Sequence, residues 1–510
     1  MKMKILLITP EVDTIEGYNK DDVKLIGFPS LTAAVLAALT PDFAEFMVID
    51  EAIEPLKTPE RFDAIVANVG ALSVNMSYKA NRAAEIAQEL KKRGKIVIWG
   101  GVHVTSLYDH HRGRFEEEIA PLADAVVLGE AEEVWLKLLE DIRDNCLKKV
   151  YRAADLPSSE IWPTPKYSAI KTDSYLVRNS CQATRGCPFD CNFCSVTAIY
   201  GKTYRKRDAR VVADEIRSIL GKSVGQNLSR LEKAKEMFIA FVDDNIGRDK
   251  NYFAELLMEL IEVKREFPKF SWGGQTTLNT IDMFGYYKEM KYSLADLMRR
   301  SGCIAMFVGI ESVSKESLAT AGKNFNDVEK YPDQIKKWHD CGIMLNAGMI
   351  AGFSTDTKRV FEDIYKFLVT TRIEISLLNI LVPLPGTKLY HLYASEGRIF
   401  DHNWENYDGR HVVYYPELMT PEELENGFFQ LWKELYSWPS IIKRVANQSQ
   451  IVAAVRTLPN FSKAGQIISR VYMNRRYAQI SSRIGKARQS ASRERFGQNI
   501  TFAELRAKTK

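Results

Sequence analysis

The 510-residue sequence holds no apolar run of the roughly 18 to 20 residues that a membrane-spanning helix needs. Its opening stretch, MKMKILLITP, is too short in apolar residues and too soon followed by an acid to read as a secretory leader, so neither export nor membrane spanning is expected. Histidine is scarce, seven in all, and none precedes His103. The cysteines are also seven: Cys146, Cys181, Cys187, Cys191, Cys194, Cys303 and Cys341. An odd number with three inside eight consecutive positions suits a metal in a reducing, cytoplasmic compartment better than a disulfide framework. The body lacks a basic excess. The net charge is +5, but from Phe461 onward twelve Lys or Arg face two Glu, a local +10 that leaves about −5 for the rest. The body therefore has no electrostatic footprint for a nucleic acid. No internal repeat of short fixed period is present.

With 45% hydrophobic and 26% charged residues the composition is that of an ordinary globular protein, long enough for two or three domains. Residues 1–150 alternate apolar runs with amphipathic stretches. Strands are expected at 4–8, 45–50, 63–69, 95–101 and 124–129, with helices at 30–39, 81–94 and 130–142 between them. Such alternation specifies a doubly wound parallel α/β sheet of Rossmann type, with ligands beyond the strand carboxyl ends. Residues 151–174, with Pro157, Pro163 and Pro165 and no periodicity, read as a linker. From 175 to 390 a second strand series follows, near 177–184 and at 236–242, 270–276, 304–310, 343–350 and 375–382, with helices such as 209–220 and 252–267. Six strand-helix units in that length suggest a partial (β/α)6 barrel with its active face at the strand carboxyl ends. Residues 391–510 read as a mainly helical, aromatic region ending in the basic tail.

The strongest chemical signal is RGCPFDCNFCS at 185–195, where Cys187, Cys191 and Cys194 are spaced C-x3-C-x2-C directly after the first strand of the second series. Three thiolates on one loop can hold three irons of a cubane cluster and leave the fourth iron open to an exchangeable ligand. A zinc site, with Cys181 or a distant His as fourth ligand, is the alternative on ligand count. Elsewhere, an acidic strand end such as FVDDN (241–245) can hold an ammonium, and Glu311 can accept from a hydroxyl or an ammonium. Glycines at 348 and 352 permit close approach to a flat base. The plainer reading makes these acids surface or capping groups and the glycines turn residues.

This cysteine loop resembles that of the radical S-adenosylmethionine (SAM) superfamily, and FVDDN, WGGQTT (272–277), VGIES (308–312), NAGMIAGF (346–353) and LVPLPGTKLY (381–390) resemble its later strand-end segments in order. The resemblance implies a [4Fe-4S] cluster on Cys187, Cys191 and Cys194. It implies SAM contacts at Phe193, Asp243, Asp244, Asn245, Gln275, Glu311, Asn346, Ile350 and Pro383. The N-terminal region resembles the cobalamin-binding domain fused in front of class B radical SAM enzymes. Its carrying segments are ALSVNMS (71–77) and GGVHVT (100–105), which imply corrin contacts at Ser73, Gly100, Gly101 and Thr105. One departure stands out: the loop PEVDTIEGYNK (10–20) lacks the Asp-x-His-x-x-Gly pattern that supplies a lower axial imidazole. Ile15 occupies the histidine position. His103, His110 and His111 read as local hydrogen-bonding or capping residues.

What the resemblance implies is methylation of an unactivated carbon: SAM homolysis at the reduced cluster, hydrogen abstraction by a 5′-deoxyadenosyl radical, and methyl supplied by methylcobalamin. Two alternatives remain, a cyclase or rearrangement enzyme with the same domains and a cobalamin or redox sensor without turnover. The aromatic stretch that includes Trp404, Tyr414, Phe428 and Trp432 either lines an apolar pocket for a terpenoid, lipid or tetrapyrrole or belongs to the core. Expected partners are the small-molecule substrate and a reducing donor such as flavodoxin or ferredoxin. The basic tail reads either as a peripheral contact with the anionic inner membrane face or an acidic redox partner, or as a solvated terminus.

Overall fold

Alternation within the first strand builds two cores at once. In β1 (Met3–Thr9), Ile5 and Leu7 point to one face, while Leu6 and Ile8 point to the other. The computed structural model describes residues 2–12, 28–222, 229–445 and 499–509. Most of the loop 10–20 and nearly all of the basic tail, with the readings made on them, lie outside the described residues. Five further strands, β2 (Ala44–Asp50), β3 (Val69–Ser73), β4 (Ile96–Gly100), β5 (Ala125–Leu128) and β6 (Val150–Arg152), join β1 in a parallel sheet of order β2-β1-β3-β4-β5-β6. The reversal of strand order beside β1 opens a crevice at the carboxyl ends of the strands.

Helices cover both faces. Leu31–Leu39 and Trp135–Arg143 pack against Ile5, Leu7 and Ile98 on one side. Ala80–Lys92 and Val102–His110 cover the other, where Ile86, Ala87, Leu90, Val104 and Leu107 are fully buried. Each such leucine or isoleucine contributes roughly 1.5–3 kcal/mol through burial. This second core runs without a break into that of the second sheet, so the two halves share apolar packing.

Three sequence expectations shift here. The strand expected at 63–69 forms instead at Val69–Ser73, because the apolar run ahead of it closes the short helix Pro59–Asp63 and its loop. Small residues suit the observed strand: a Cβ on Gly70 would lie 2.5 Å from Leu90 Cδ1. The GGVHVT stretch leads into helix Val102–His110, where the sequence pattern predicts no helix. The expected linker begins with β6, which completes the sheet.

The second sheet is also parallel, with order β16-β15-β14-β11-β10-β7, where β7 is Asn179–Cys181, β10 Phe238–Phe241, β11 Ser271–Thr276, β14 Cys303–Glu311, β15 Met344–Ala351 and β16 Ile375–Ile380. All six expected strands form. Two antiparallel pairs stand apart: β8 (Thr184–Arg185) with β9 (Arg205–Lys206), and the hairpin β12 (Phe284–Tyr287) and β13 (Met290–Ser293), for which the sequence reading had no strands. From Lys388 on, the described residues form helices at Lys388–Ser395, Pro421–Leu435, Trp438–Val445 and Phe502–Thr509, with a bridge between Ile399 and Tyr414 in the stretch between the first two. The aromatic stretch resolves into core: Trp404, Tyr407, Tyr414, Phe428, Trp432 and Tyr436 are buried, and Trp438 is exposed. Among the described residues no helix is long and apolar enough to cross a membrane.

Candidate active site at the carboxyl ends of the two sheets

The three clustered cysteines sit on one loop, Gly186–Cys194, entered from β8 and left through helix Ser195–Tyr200, with Cys194 as the residue before its first turn. Gly186 has φ +86°, and a Cβ there would fall 2.4 Å from the Thr203 carbonyl oxygen, so only glycine fits the entry. The FVDDN segment at the end of β10 grips this loop. Both Asp243 oxygens accept from Ala183 N at 3.2 Å, and Oδ1 accepts from Thr184 N and, at 2.6 Å, from Thr184 Oγ1. Burial nevertheless pushes Asp243 up to about 7. Asp244 Oδ2 accepts from Gly186 N at 2.9 Å. Asn245 Nδ2 lies 4.0 Å from Cys187 Sγ, and its Oδ1 accepts from Thr276 Oγ1. The expected ammonium contact at Asp243 thus meets a carboxylate already filled by backbone and hydroxyl donors, a placement the sequence does not reveal.

On the outer side, Asn192 N donates to Ala321 O at 3.1 Å, Leu389 N donates to Asn192 O at 2.9 Å, and the rings of Phe189 and Phe325 stack at 3.7 Å. Cys187, Cys191 and Cys194 are half-buried free thiols. Burial pushes Cys191 up to about 12 and Cys194 up to about 11. Thiolates so placed need a bound cation to form, which is the donor chemistry of an iron-sulfur site. The residues present fit such a cluster.

Glu311 ends β14 in the left-handed region, φ +65°, just after a register shift between Gly309 and Glu311. A bulge with a strained non-glycine residue re-aims a side chain. Here it turns the carboxylate to Lys323 Nζ, 2.6 Å away, both groups largely buried. Lys323 has no counterpart among the sequence candidates, since nothing in its local pattern marks it. Neighbouring β15 carries Asn346, whose Oδ1 is buried with no partner in the described structure, and half-buried Ile350. Gln275 is exposed at the end of β11, Phe193 lies edge-on to Phe353 at 6.2 Å, and Pro383 is buried beyond β16.

A cleft of about 340 Å³ joins the two sheets. Ser73, Gly100, Gly101 and Thr105 line it from the first sheet, and Gln182, Arg185 and Tyr200 line it beside the cysteine loop. All four candidate corrin contacts are therefore in one place. Their hydroxyls differ in availability. Thr105 Oγ1 donates to Gly101 O at 3.0 Å and accepts from Gly129 N at 2.9 Å, whereas Ser73 Oγ only accepts, from Asn75 Nδ2 at 3.4 Å. The residues fit the polar tail of a corrin through Ser73 and the two glycines.

His103 is fully buried, with Nδ1 3.0 Å from Ser77 Oγ and its ring edge-on to Trp404. This is a local hydrogen-bonding role, on the side of the first sheet away from the cleft. Burial pushes it down to about 3. Between that value and its ordinary 6.5 the unfolded chain binds the extra proton, so stability is fully present above about pH 6.5 and is lost as pH falls. His103→Gln is expected to flatten the acid limb of a stability-against-pH curve by about 1.4 kcal/mol per pH unit at most, measured by urea unfolding from pH 7 to 4.

Residues 181–368, the segment that carries the cysteine loop, match the Radical SAM superfamily. Among curated proteins it is similar to the bacteriochlorophyllide d C-12(1)-methyltransferase of Chlorobaculum tepidum, 29% identical over 448 residues covering 87% of this chain and 90% of the relative. It is also similar to the bacteriochlorophyllide d C-8(2)-methyltransferase of the same organism, 28% identical over 81% of this chain and 87% of that protein. The fold matches the solved cobalamin-dependent SAM radical enzyme OxsB with aqua-cobalamin bound, at a TM-score of 0.58 and 15% identity, over 99% of this chain and 83% of that one.

Proposed function

We propose that this protein is a cobalamin-dependent radical SAM C-methyltransferase acting on an unactivated carbon of an apolar small molecule, of terpenoid, lipid or tetrapyrrole class. The tetrapyrrole class is favoured by the relatives whose names give bacteriochlorophyllide d as substrate. The observation that carries the reading is the cleft joining the ends of β3 and β4 to residues flanking the cysteine loop, because methyl transfer needs a corrin within reach of a radical generated at SAM. On this reading residues 1–150 form the corrin domain, 151–174 the connection, 175–390 the radical SAM domain and 391–510 the C-terminal region.

When bound, the cluster and SAM supply the radical and the corrin supplies the methyl group. The chain's own part is positional. Asp243, Asp244 and Asn245 hold the cysteine loop, and Cys187, Cys191 and Cys194 would ligate iron. Glu311, exchanging Lys323 for a ligand, would accept from SAM, and buried Asn346 Oδ1 has acceptor capacity to offer it. Reduction would come from a flavodoxin- or ferredoxin-type donor. The test is incubation of anaerobically reconstituted protein with pigment and lipid extracts of a deletion strain, followed by mass spectrometry. A compound gaining one CH2 is expected. Consumption of a compound without that gain would favour cyclisation or rearrangement instead.

A further inference from the structure

Arg185 is the residue immediately before the cysteine loop, and its guanidinium leaves its own sheet to enter the first domain. Nη1 donates to Glu130 Oε2 at 2.6 Å and to Glu132 Oε1 at 2.7 Å, while Nε donates to Gln182 Oε1 at 2.9 Å. Its partner across the two-stranded ladder, Arg205, binds both oxygens of the same Glu130, with Nη1 to Oε2 at 3.1 Å, and also donates to Pro157 O at 2.7 Å. The Trp162 ring lies 4.1 Å from the Arg185 guanidinium. The four charged side chains are only 5–14% exposed, so solvent screens them little.

Glu130 directly follows Gly129 and Glu132 lies two positions further on; the Gly129 N–H donates to Thr105 Oγ1, and Thr105 is bonded in turn to Gly101 O. Thr105, Gly129, Glu130, Glu132 and Arg185 all line the cleft between the sheets. On the far side of Arg185, Gly186 N is fixed by Asp244 and the next residue is Cys187. A continuous bonded path thus runs from the wall of the candidate corrin cleft to the first cysteine.

We infer that Arg185, through Glu130 and Glu132, is a positioning residue that couples occupancy of the cleft to the placement of the cysteine loop, so that a corrin in the first domain alters SAM affinity at the second. The inference rests on the functional reading above. The physical ground is that a buried ion cluster has few arrangements: a ligand that shifts the Gly129–Glu132 turn must move Arg185 with it or break bonds that water cannot replace. Coupling of this kind is reciprocal, which supplies an internal check.

The experiment measures SAM affinity of the cluster-reconstituted full chain with and without saturating hydroxocobalamin, and hydroxocobalamin affinity with and without SAM. In the natural protein the two ratios are expected to agree at roughly fivefold or more. In Arg185→Lys, which keeps the charge but loses the forked geometry, and in Glu132→Gln, which removes one acceptor charge, the ratio is expected to fall towards one while both ligands still bind. Arg185→Met serves as a third variant; if it fails to fold, the two milder changes decide. A ratio near one in the natural protein, or an unchanged ratio in Arg185→Lys and Glu132→Gln, overturns the coupling. Failure of hydroxocobalamin to bind the natural protein at all overturns it together with the functional reading, and is distinguished by the absence of any corrin absorbance on the protein.

Discussion

Simultaneous replacement of Cys187, Cys191 and Cys194 by Ala is expected to remove the iron-sulfur absorbance altogether and to abolish reductive cleavage of SAM. The other cysteines cannot substitute. Cys181 and Cys303 are buried within strands, Cys341 follows helix Tyr331–Asp340 at the entry to β15, and Cys146 lies near Asp141 in the N-terminal half. The fold itself should survive, because the loop is held by bonds that involve no sulfur: Gly186 N to Asp244 Oδ2, Asn192 N to Ala321 O and Leu389 N to Asn192 O. Iron analysis of the reconstituted variant should therefore fall from about four per chain to none, with an unchanged far-ultraviolet circular dichroism spectrum. Four retained irons would remove the assignment of the cluster to this loop.

The adjacent glycines of GGVHVT should behave differently from each other. Gly101 has φ +109°, and a Cβ there would lie 2.6 Å from Val74 O and 2.8 Å from Asn75 Oδ1. Gly101→Ala therefore strains the backbone where β3 and β4 end, at a cost of about 1–3 kcal/mol. It should lower the thermal midpoint whether or not corrin is present. At Gly100 the nearest atoms to an added Cβ are Val127 O at 3.5 Å and Val127 Cβ at 3.7 Å, ordinary contacts that the fold accommodates. Gly100→Leu should keep the midpoint within a few degrees but crowd the cleft. Overpacking of about 1–3 kcal/mol corresponds to roughly a 5- to 150-fold loss of hydroxocobalamin affinity. Equal corrin affinity in natural protein and Gly100→Leu, measured by absorbance titration, would detach this turn from the corrin.

Sequence periodicity exposed the strands whose apolar runs coincide with the sheet. The Val- and Ile-rich runs of β1, β4 and β5, and the six strands of the second sheet, all appear with ends within a few residues. Periodicity misplaced β3 because its strand, Val-Gly-Ala-Leu-Ser, is selected by close packing against Leu90, while the more apolar run before it lies outside the sheet. The cysteine loop was legible because its spacing is local. Lys323 and the Arg185–Glu130–Glu132 cluster were not, since Arg185 meets Glu130 across 55 positions and neither residue is unusual in its own segment. Asp243 shows the converse: a motif position can be read from the sequence, while the bonds that fill its carboxylate come only from the folded chain.

Radical methylation by SAM would engage both halves of the molecule. Its most direct test uses SAM deuterated in its methyl group, supplied to anaerobically reconstituted protein loaded with hydroxocobalamin and a reductant, together with the extract compound found to gain CH2. Radical methylation requires one 5′-deoxyadenosine and one S-adenosylhomocysteine per product, with the deuterated methyl in that product after the first turnover. Formation of 5′-deoxyadenosine with an unlabelled product, or the absence of SAM consumption altogether, would contradict it.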